Sequence, residues 1–446
     1  MENTFIELGV DIRFVRRLEE RNITRPTDIQ RRVIPVIAAG EDLFFRSATG
    51  TGKTFAYLLP LLRLLLDGDR PAAAEAPGGR EAPARPPGPR LLILAPTYEL
   101  CSQIKSEADF LLRAGAAPPG ADGRAASGRG PAGLRVLLAI GSAGPGRQID
   151  ALRKDRPALV VGNPGRILLL AKTGRLTFRD LRFLVLDEGD RLVADEMRAE
   201  TGELLALVSR EVRRGAGRVA FAACSATLAE KSRQQLLPLL GGLRAAPGGA
   251  GEGGSGEGGA EAGVRVIETG EQEILRERIE HWAIFSEGRR KIQTLRSFLA
   301  AVKPRKALVF SGRGADAGKA AAALRHHHIA AGGLYGGMDR KARKEALDGF
   351  RSGKISALVS SDLAARGLDI PGVTHVIALD LGEDADSYLH RAGRTGRAGR
   401  RGVMVSIGDE EEMRRLARLE KKLGLVVRPK ELYGGRLLDI QQETGP

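Results

Sequence analysis

Short, almost wholly apolar runs alternate with longer runs of helical period along this chain. Residues 43–48, 91–95, 136–140, 159–161, 183–186 and 219–223 are β-branched or leucine-rich stretches of strand length. Helical patterns follow most of them, for example over 102–112 and 196–213. A strand apolar at every position rather than at every second one is buried on both faces, so the pattern predicts a parallel sheet covered by helices on both sides. A second series begins at 307–310 and continues through 357–360, 376–379 and 403–407. Two α/β domains therefore fit better than one.

Three stretches break the rhythm. Residues 67–89, 115–133 and 245–263 are rich in Gly, Ala and Pro and read as flexible surface inserts or linkers without chemistry of their own. The third is followed by 264–267, one more strand of the first domain, which puts the hinge near 270–272 and divides the chain into 1–272 and 273–446. The charged run 409–422 has helical spacing and predicts a solvated C-terminal helix.

Composition narrows the class. The chain has 446 residues, 42% of them hydrophobic, enough to fill real cores. Its net charge of +15 points to a polyanionic partner, of which nucleic acid is the usual case. Cys101 and Cys224 form neither a metal-ligand spacing nor a disulfide framework, which fits a reduced, cytoplasmic setting. The first thirty residues carry Glu2, Glu7, Asp11, Glu19 and Glu20 and lack the apolar core of a secretory signal. The apolar stretch 57–66 is too short to span a bilayer, so no membrane association is expected.

Three motifs carry the chemistry. Ser47-Ala-Thr-Gly-Thr-Gly-Lys-Thr54 joins a strand to a helix, the setting of a phosphate-binding loop. Thr49, Gly50, Thr51, Gly52, Lys53 and Thr54 form its working part: the amides of Gly50 to Lys53 face phosphate oxygens, Lys53 bridges the β- and γ-phosphates, and the Thr54 hydroxyl binds Mg²⁺. Ser47 stands where the strict pattern has glycine. Asp187-Glu188-Gly189-Asp190 follows the apolar strand 183–186, at the strand end where open α/β sheets bind ligands. Asp187 would hold Mg²⁺ through water, and Glu188 would orient and deprotonate an attacking water. A far-distant arginine cluster, His390-Arg-Ala-Gly-Arg-Thr-Gly-Arg397, could reach the same phosphates from the other side of a cleft.

With these residues in order the chain resembles the DEAD-box RNA helicases of superfamily 2, from Phe5 to about Ile407. The resemblance implies two tandem RecA-like domains, each a mostly parallel sheet with helices on both faces, and an ATP-dependent RNA helicase using ATP and Mg²⁺. Phe5 and Pro26-Thr-Asp-Ile-Gln30 resemble the adenine-reading Q motif: Gln30 would select ATP over GTP, and Phe5 would stack on the base. Pro96 and Thr97 of motif Ia, Gly141, and Pro164, Gly165 and Arg166 of motif Ib line the RNA path in that family. Ser225, Ala226 and Thr227 match motif III and, with Asp190, couple nucleotide state to RNA. In the second domain, 308–311 occupies motif IV; Gly337, Arg343, Ser361 and Asp362 would face RNA; Gly367 and Asp369 would meet the ribose. His390 would join the cleft network, and Arg394 and Arg397 would be arginine fingers on the γ-phosphate.

The sequence departs from the family at Gly189, which replaces the alanine of the name-giving tetrad while leaving both acids, and at Tyr98, which replaces an arginine in motif Ia. Two other readings stay open: an RNA clamp or assembly factor with little turnover, and a DNA helicase of the same superfamily. The expected partner is RNA bound largely without regard to sequence by a monomer, with ribosomal or messenger-ribonucleoprotein assemblies suggested by analogy alone. The His326-His-His328 run and the glycine-rich turn 312–319 are expected to be neither a metal site nor a second nucleotide loop.

Overall fold

The computed structural model describes residues 4–47, 50–67, 88–113, 134–141, 144–214, 218–225, 230–244, 263–269, 278–312, 314–362, 370, 372–382, 385–396 and 400–440. Most of the three Gly/Ala/Pro-rich inserts lies outside these residues. The chain divides into two compact units, residues 1–47 with 52–269, and residues 270–446 with 48–51.

The first unit is built on seven strands: β1 (Asp42–Arg46), β2 (Leu91–Leu94), β3 (Val136–Ala139), β4 (Leu159–Gly162), β5 (Phe183–Asp187), β6 (Ala220–Ser225) and β7 (Val264–Glu268). They run in the order β3-β4-β2-β5-β6-β1-β7, all neighbours parallel. Alternation splits each apolar run between two cores. Leu91 and Ile93 join the core with Phe45 and Val185, whereas Leu92 and Leu94 join the opposite one with Phe44 and Leu186. Both layers of helices therefore follow from runs such as Leu-Leu-Ile-Leu, since a strand apolar on both faces must be covered on both.

Strand order places the chemistry. β5, β6 and β1 are adjacent, with Asp187 opposite Cys224 and Arg46 opposite Ser225. The C-terminal ends of three neighbouring strands thus bring the 47–54 loop, the acid pair and Ser225 to one edge. The Ser47 N–H donates to the Ser225 carbonyl at 3.2 Å.

The second unit has eight strands: β8 (Ile279–Phe285), β9 (Ala307–Phe310), β10 (Ala331–Leu334), β11 (Ala357–Ser360), β12 (His375–Ala378), β13 (Gly402–Gly408), β14 (Val427–Tyr433) and β15 (Arg436–Asp439). The order is β10-β11-β9-β12-β13-β8-β14-β15, parallel except for the β14–β15 hairpin. That hairpin turns through Gly434 and Gly435, both at positive φ, as a two-residue turn of the primed type requires. Apolar periodicity does not reveal β10, because Ala-Gly-Gly-Leu has little side chain to display. Its glycines admit close neighbours: a Cβ on Gly332 would stand 3.1 Å from Ile355.

The run expected as a solvated helix is a helix over Glu410–Leu423, but Leu416, Leu419 and Leu423 are buried, so one face packs into the second core. Asp409 and Glu412 close its N-terminus with a capping box. Glu412 also takes the Lys291 ammonium at 2.6 Å. The 312–319 turn leads from β9 into the helix Gly314–His326, as expected of a strand-to-helix connection.

His375 on β12 packs edge-on against Trp282 and Phe298, with ring centroids 6.2 Å away in each case. Burial there holds its imidazole below the usual histidine value. A lowered folded-state value means the unfolded chain binds the extra proton first. Stability is therefore full above about pH 6.5 and falls as pH drops through the folded value. Urea unfolding followed by the fluorescence of Trp282, the sole tryptophan, should show the second unit weakening from pH 7.5 to 5.5. In His375→Asn that decline should be smaller; an equal decline would remove His375 as its source.

Candidate nucleotide and RNA site

The loop after β1 depends on two glycines in left-handed conformation, Gly50 at φ +84° and Gly52 at φ +91°. Gly52 is constrained twice, because a Cβ would collide with the Gln30 amide. Helix α1 (Lys53–Asp67) starts where the Ala56 N–H bonds the Gly52 carbonyl at 3.0 Å. Lys53 folds back so that Nζ donates to the Ser47 carbonyl. The lysine thereby spans the loop it would serve.

Gln30 is buried and divides its amide between two backbone groups. Its oxygen accepts from Thr27 N–H at 2.9 Å within a capping box, and its Nε2 donates to the Gly52 carbonyl at 3.1 Å. One N–H and one lone pair remain on the amide for a base edge. Gln30 thus fixes the phosphate loop as well as being placed beside it, a role the sequence does not announce. Phe5 is only 2% exposed and belongs to the first core, so in this conformation its ring is a packing element rather than an open stacking platform.

Asp187 ends β5 and is 4% exposed. Its carboxylate is surrounded by donors: the Tyr57 hydroxyl at 2.8 Å on Oδ2, and the Cys224 thiol at 3.2 Å and the Glu188 N–H at 3.0 Å on Oδ1. Burial, then the Asp187 charge, pushes both the Tyr57 phenol and the Cys224 thiol well above their ordinary values, so both remain protonated donors. Sequence reasoning missed Tyr57 and Cys224; the only signal available was the i, i+3 spacing of Thr54 and Tyr57 on one helix face.

Glu188 sits at φ +52°, a left-handed conformation that costs a non-glycine residue about 1–2 kcal/mol. Such outliers concentrate at functional sites. Gly189 opens the short helix Gly189–Leu192, which carries Asp190. It has no positive φ, and a Cβ there would lie 3.3 Å from Leu236, so alanine would need only a small yielding of that side chain.

On the other side of the first sheet edge, Thr97 caps the helix Tyr98–Leu112, accepting from Leu100 N–H at 3.2 Å, with Pro96 just before it. Arg166 Nη2 donates to the Gly141 carbonyl at 2.8 Å, which joins two segments expected along the RNA path. Pro164 occupies the first turn of the helix Pro164–Lys172. A Cβ on Gly165 beside it would come within 2.5 Å of the exposed Glu200 carboxylate, which would have to swing aside.

In the second unit Ser361 is buried beyond β11, its N–H on the Leu334 carbonyl at 3.2 Å. Asp362 is gripped by Arg391: Nε donates to Oδ1 at 2.7 Å, Nη2 donates to Oδ2, and Nη1 reaches the Asp380 carbonyl. Arg391 lies 5.4 Å from the Phe310 ring centroid. The sequence reading used the flanking His390 and Arg394 and passed over Arg391, although it lies inside the same motif. His390 lies in the helix Ala385–Ala392, and Arg394, buried, follows in the turn where its N–H bonds the Arg391 carbonyl at 3.0 Å. Gly337, at φ +76°, precedes the helix Arg340–Ser352, which carries Arg343 and is capped by Asp339. Thr49, Ala226, Thr227, Gly367, Asp369 and Arg397 lie outside the described residues. Among the described residues no group of three or more His, Cys, Asp or Glu could hold a metal by itself, and no helix is long and apolar enough to cross a membrane.

A phosphate loop and an acid pair at the ends of two parallel strands, β1 and β5, on either side of β6 define a P-loop nucleotide hydrolase. The family model described as DEAD/DEAH box helicase matches residues 27–236, and that of the helicase conserved C-terminal domain matches 290–399. The chain is 30% identical over 430 residues to the DEAD-box ATP-dependent RNA helicase CshC of Bacillus cereus, covering 96% of this chain and 93% of that protein. It is 29% identical to the probable ATP-dependent RNA helicase YfmL of Bacillus subtilis, covering 93% of each. The chain belongs to the DEAD-box ATP-dependent RNA helicase family. Its fold matches S. cerevisiae Dbp5 bound to RNA and ADP BeF3 (TM-score 0.73, 20% identity, 96% of each chain). It also matches Mss116p bound to ssRNA and AMP-PNP (TM-score 0.77, 21% identity, 97% of this chain and 80% of that one).

The Arg391–Asp362 pair generates a prediction. Hydrogen bonds to charged groups contribute about 1.5–3 kcal/mol each, and a buried ion left alone is costly. Arg391→Ala should lower the unfolding free energy of the second unit by about 2–3 kcal/mol in Trp282-monitored urea titrations. Arg391→Lys, which keeps charge but loses the fork, should recover less than half. Full recovery by lysine would show that charge alone matters.

Proposed function

We propose that this helicase hydrolyses ATP at the edge formed by β1, β5 and β6, and that RNA stimulates the reaction by favouring closure of the two units. The observation that carries the reading is the convergence of Lys53, Gln30, Asp187 and Glu188 on that edge, with Gln30 bonded to the loop itself. Lys53 and the loop amides bind the phosphates, Gln30 offers its remaining amide groups to adenine, and Glu188 takes the proton of the attacking water. Arg394 and Arg397 act as arginine fingers on closure, which makes hydrolysis conditional on it; such fingers contribute roughly 10³–10⁵ in rate.

The donor set fits Mg²⁺. Thr54 and Asp187 supply hard oxygen ligands, one of them a carboxylate, and the protein builds no cage of its own among the described residues, as suits an ion held mainly by phosphate oxygens and water. When bound, Mg²⁺ neutralises charge developing on the phosphates.

Pro96, Thr97, Gly141, Pro164, Gly165 and Arg166 of the first unit, with Gly337, Arg343, Ser361 and the Asp362 segment of the second, hold one RNA strand by its backbone. Backbone contacts carry no sequence information, so binding is largely sequence-independent. Stacking is worth about 1.4 kcal/mol per step by the DNA value, so one closure separates a few base pairs and not a long duplex. The two cysteines, both free and buried, suit a reducing cytoplasm, and we take the working form to be a monomer.

Lys53→Ala and Glu188→Gln should each lower RNA-stimulated ATPase by about 10²–10⁴-fold while leaving Trp282-monitored unfolding unchanged. Full activity in both would refute the assignment. RNA should stimulate ATPase more than DNA of equal length; equal stimulation would favour a DNA helicase, and tight RNA binding with negligible turnover would favour a clamp. With about five phosphates contacted, log affinity should fall with log salt at a slope of about −3 to −4.

A further inference from the structure

Tyr57 is fully buried in α1, and its hydroxyl points at Asp187. A phenylalanine would fill the same space without burying a hydroxyl, which costs about 1–3 kcal/mol unless hydrogen-bonded. Packing therefore does not account for the oxygen. The phenol has one hydrogen, and this goes to Asp187 Oδ2 at 2.8 Å. The oxygen therefore serves the carboxylate.

On the far oxygen of the carboxylate, Cys224 and the Glu188 N–H complete the support, so Asp187 is oriented from α1, from β6 and from its own chain. We propose that the Tyr57 hydroxyl is a positioning group for the divalent cation of nucleotide binding, fixing the Asp187 carboxylate in one rotamer. This rests on the reading of Asp187 as part of the Mg²⁺ side of the site. Tyr57 acts only through Asp187. Without it, Asp187 Oδ2 loses its phenol donor. Partners that orient a ligand in this way typically cost 10–100-fold in metal affinity when removed.

The test is Tyr57→Phe in the full chain. A fluorescent ATP analogue is titrated with MgCl₂, and its binding is measured again in excess chelator. The concentration of Mg²⁺ giving half-maximal binding should rise about tenfold, while the metal-free affinity for the analogue stays within twofold. A residue that merely packs the helix would shift both values or neither. Cys224→Ala, which removes the weaker thiol donor, should raise the half-saturating Mg²⁺ about two- to threefold, and decides the matter if Tyr57→Phe does not fold. An unchanged Mg²⁺ dependence in the folded variant overturns the role of Tyr57 alone. Absence of any Mg²⁺-dependent binding in the unsubstituted protein overturns the reading of the site, and this inference with it.

Discussion

A carboxylate removed from water must be surrounded by donors, and buried Asp187 meets that requirement at the site. Three groups serve it, from the helix after β1, from β6 and from its own backbone. They can meet only because β5, β6 and β1 lie side by side in a parallel sheet, their C-terminal ends level. The register that sets Asp187 opposite Cys224 also sets Arg46 opposite Ser225, which starts the phosphate loop at the same height. A one-residue slip of β6 would turn Cys224 to the other face and move the Ser225 carbonyl from the Ser47 N–H.

The second unit solves a similar problem with opposite chemistry. Asp362 follows β11, as Asp187 ends β5, but its partner is a planar cation. Arg391 uses three nitrogens on two segments and lies beside Phe310, tying the end of β11 to the helix that carries His390. Asp187 is thereby left with neutral donors, which orient it without cancelling its charge, while Asp362 is neutralised by a fork. The first arrangement suits a group meant to meet a cation, the second a group meant to hold a turn in place.

The sequence shows most of what hydrophobic pattern can show. Runs such as Leu91–Leu94, Ala307–Phe310 and Ala357–Ser360 are strands because they are apolar throughout and of strand length. Where side chains are few or mixed the signal fails. β10 is half glycine, β8 carries charged and aromatic positions beside its buried ones, and the β14–β15 hairpin lies at a sheet edge that water reaches. The helix over Glu410–Leu423 shows the same limit: its charges were visible, but the burial of Leu416, Leu419 and Leu423 depends on a core assembled from β8 and β13.

The chain order of Lys53, Asp187, Glu188, Arg394 and their neighbours by itself determined that this protein handles a nucleoside triphosphate, because amide-rich loops and acid pairs have few other uses. Only the tertiary structure decided which neutral side chains serve those groups. Tyr57 and Cys224 lie 130 and 37 positions from Asp187, and Gln30 lies 22 from Gly52. Side-chain hydrogen bonds of that reach obey distance and angle in space, and these are set by strand order and register, which no local pattern of residues encodes.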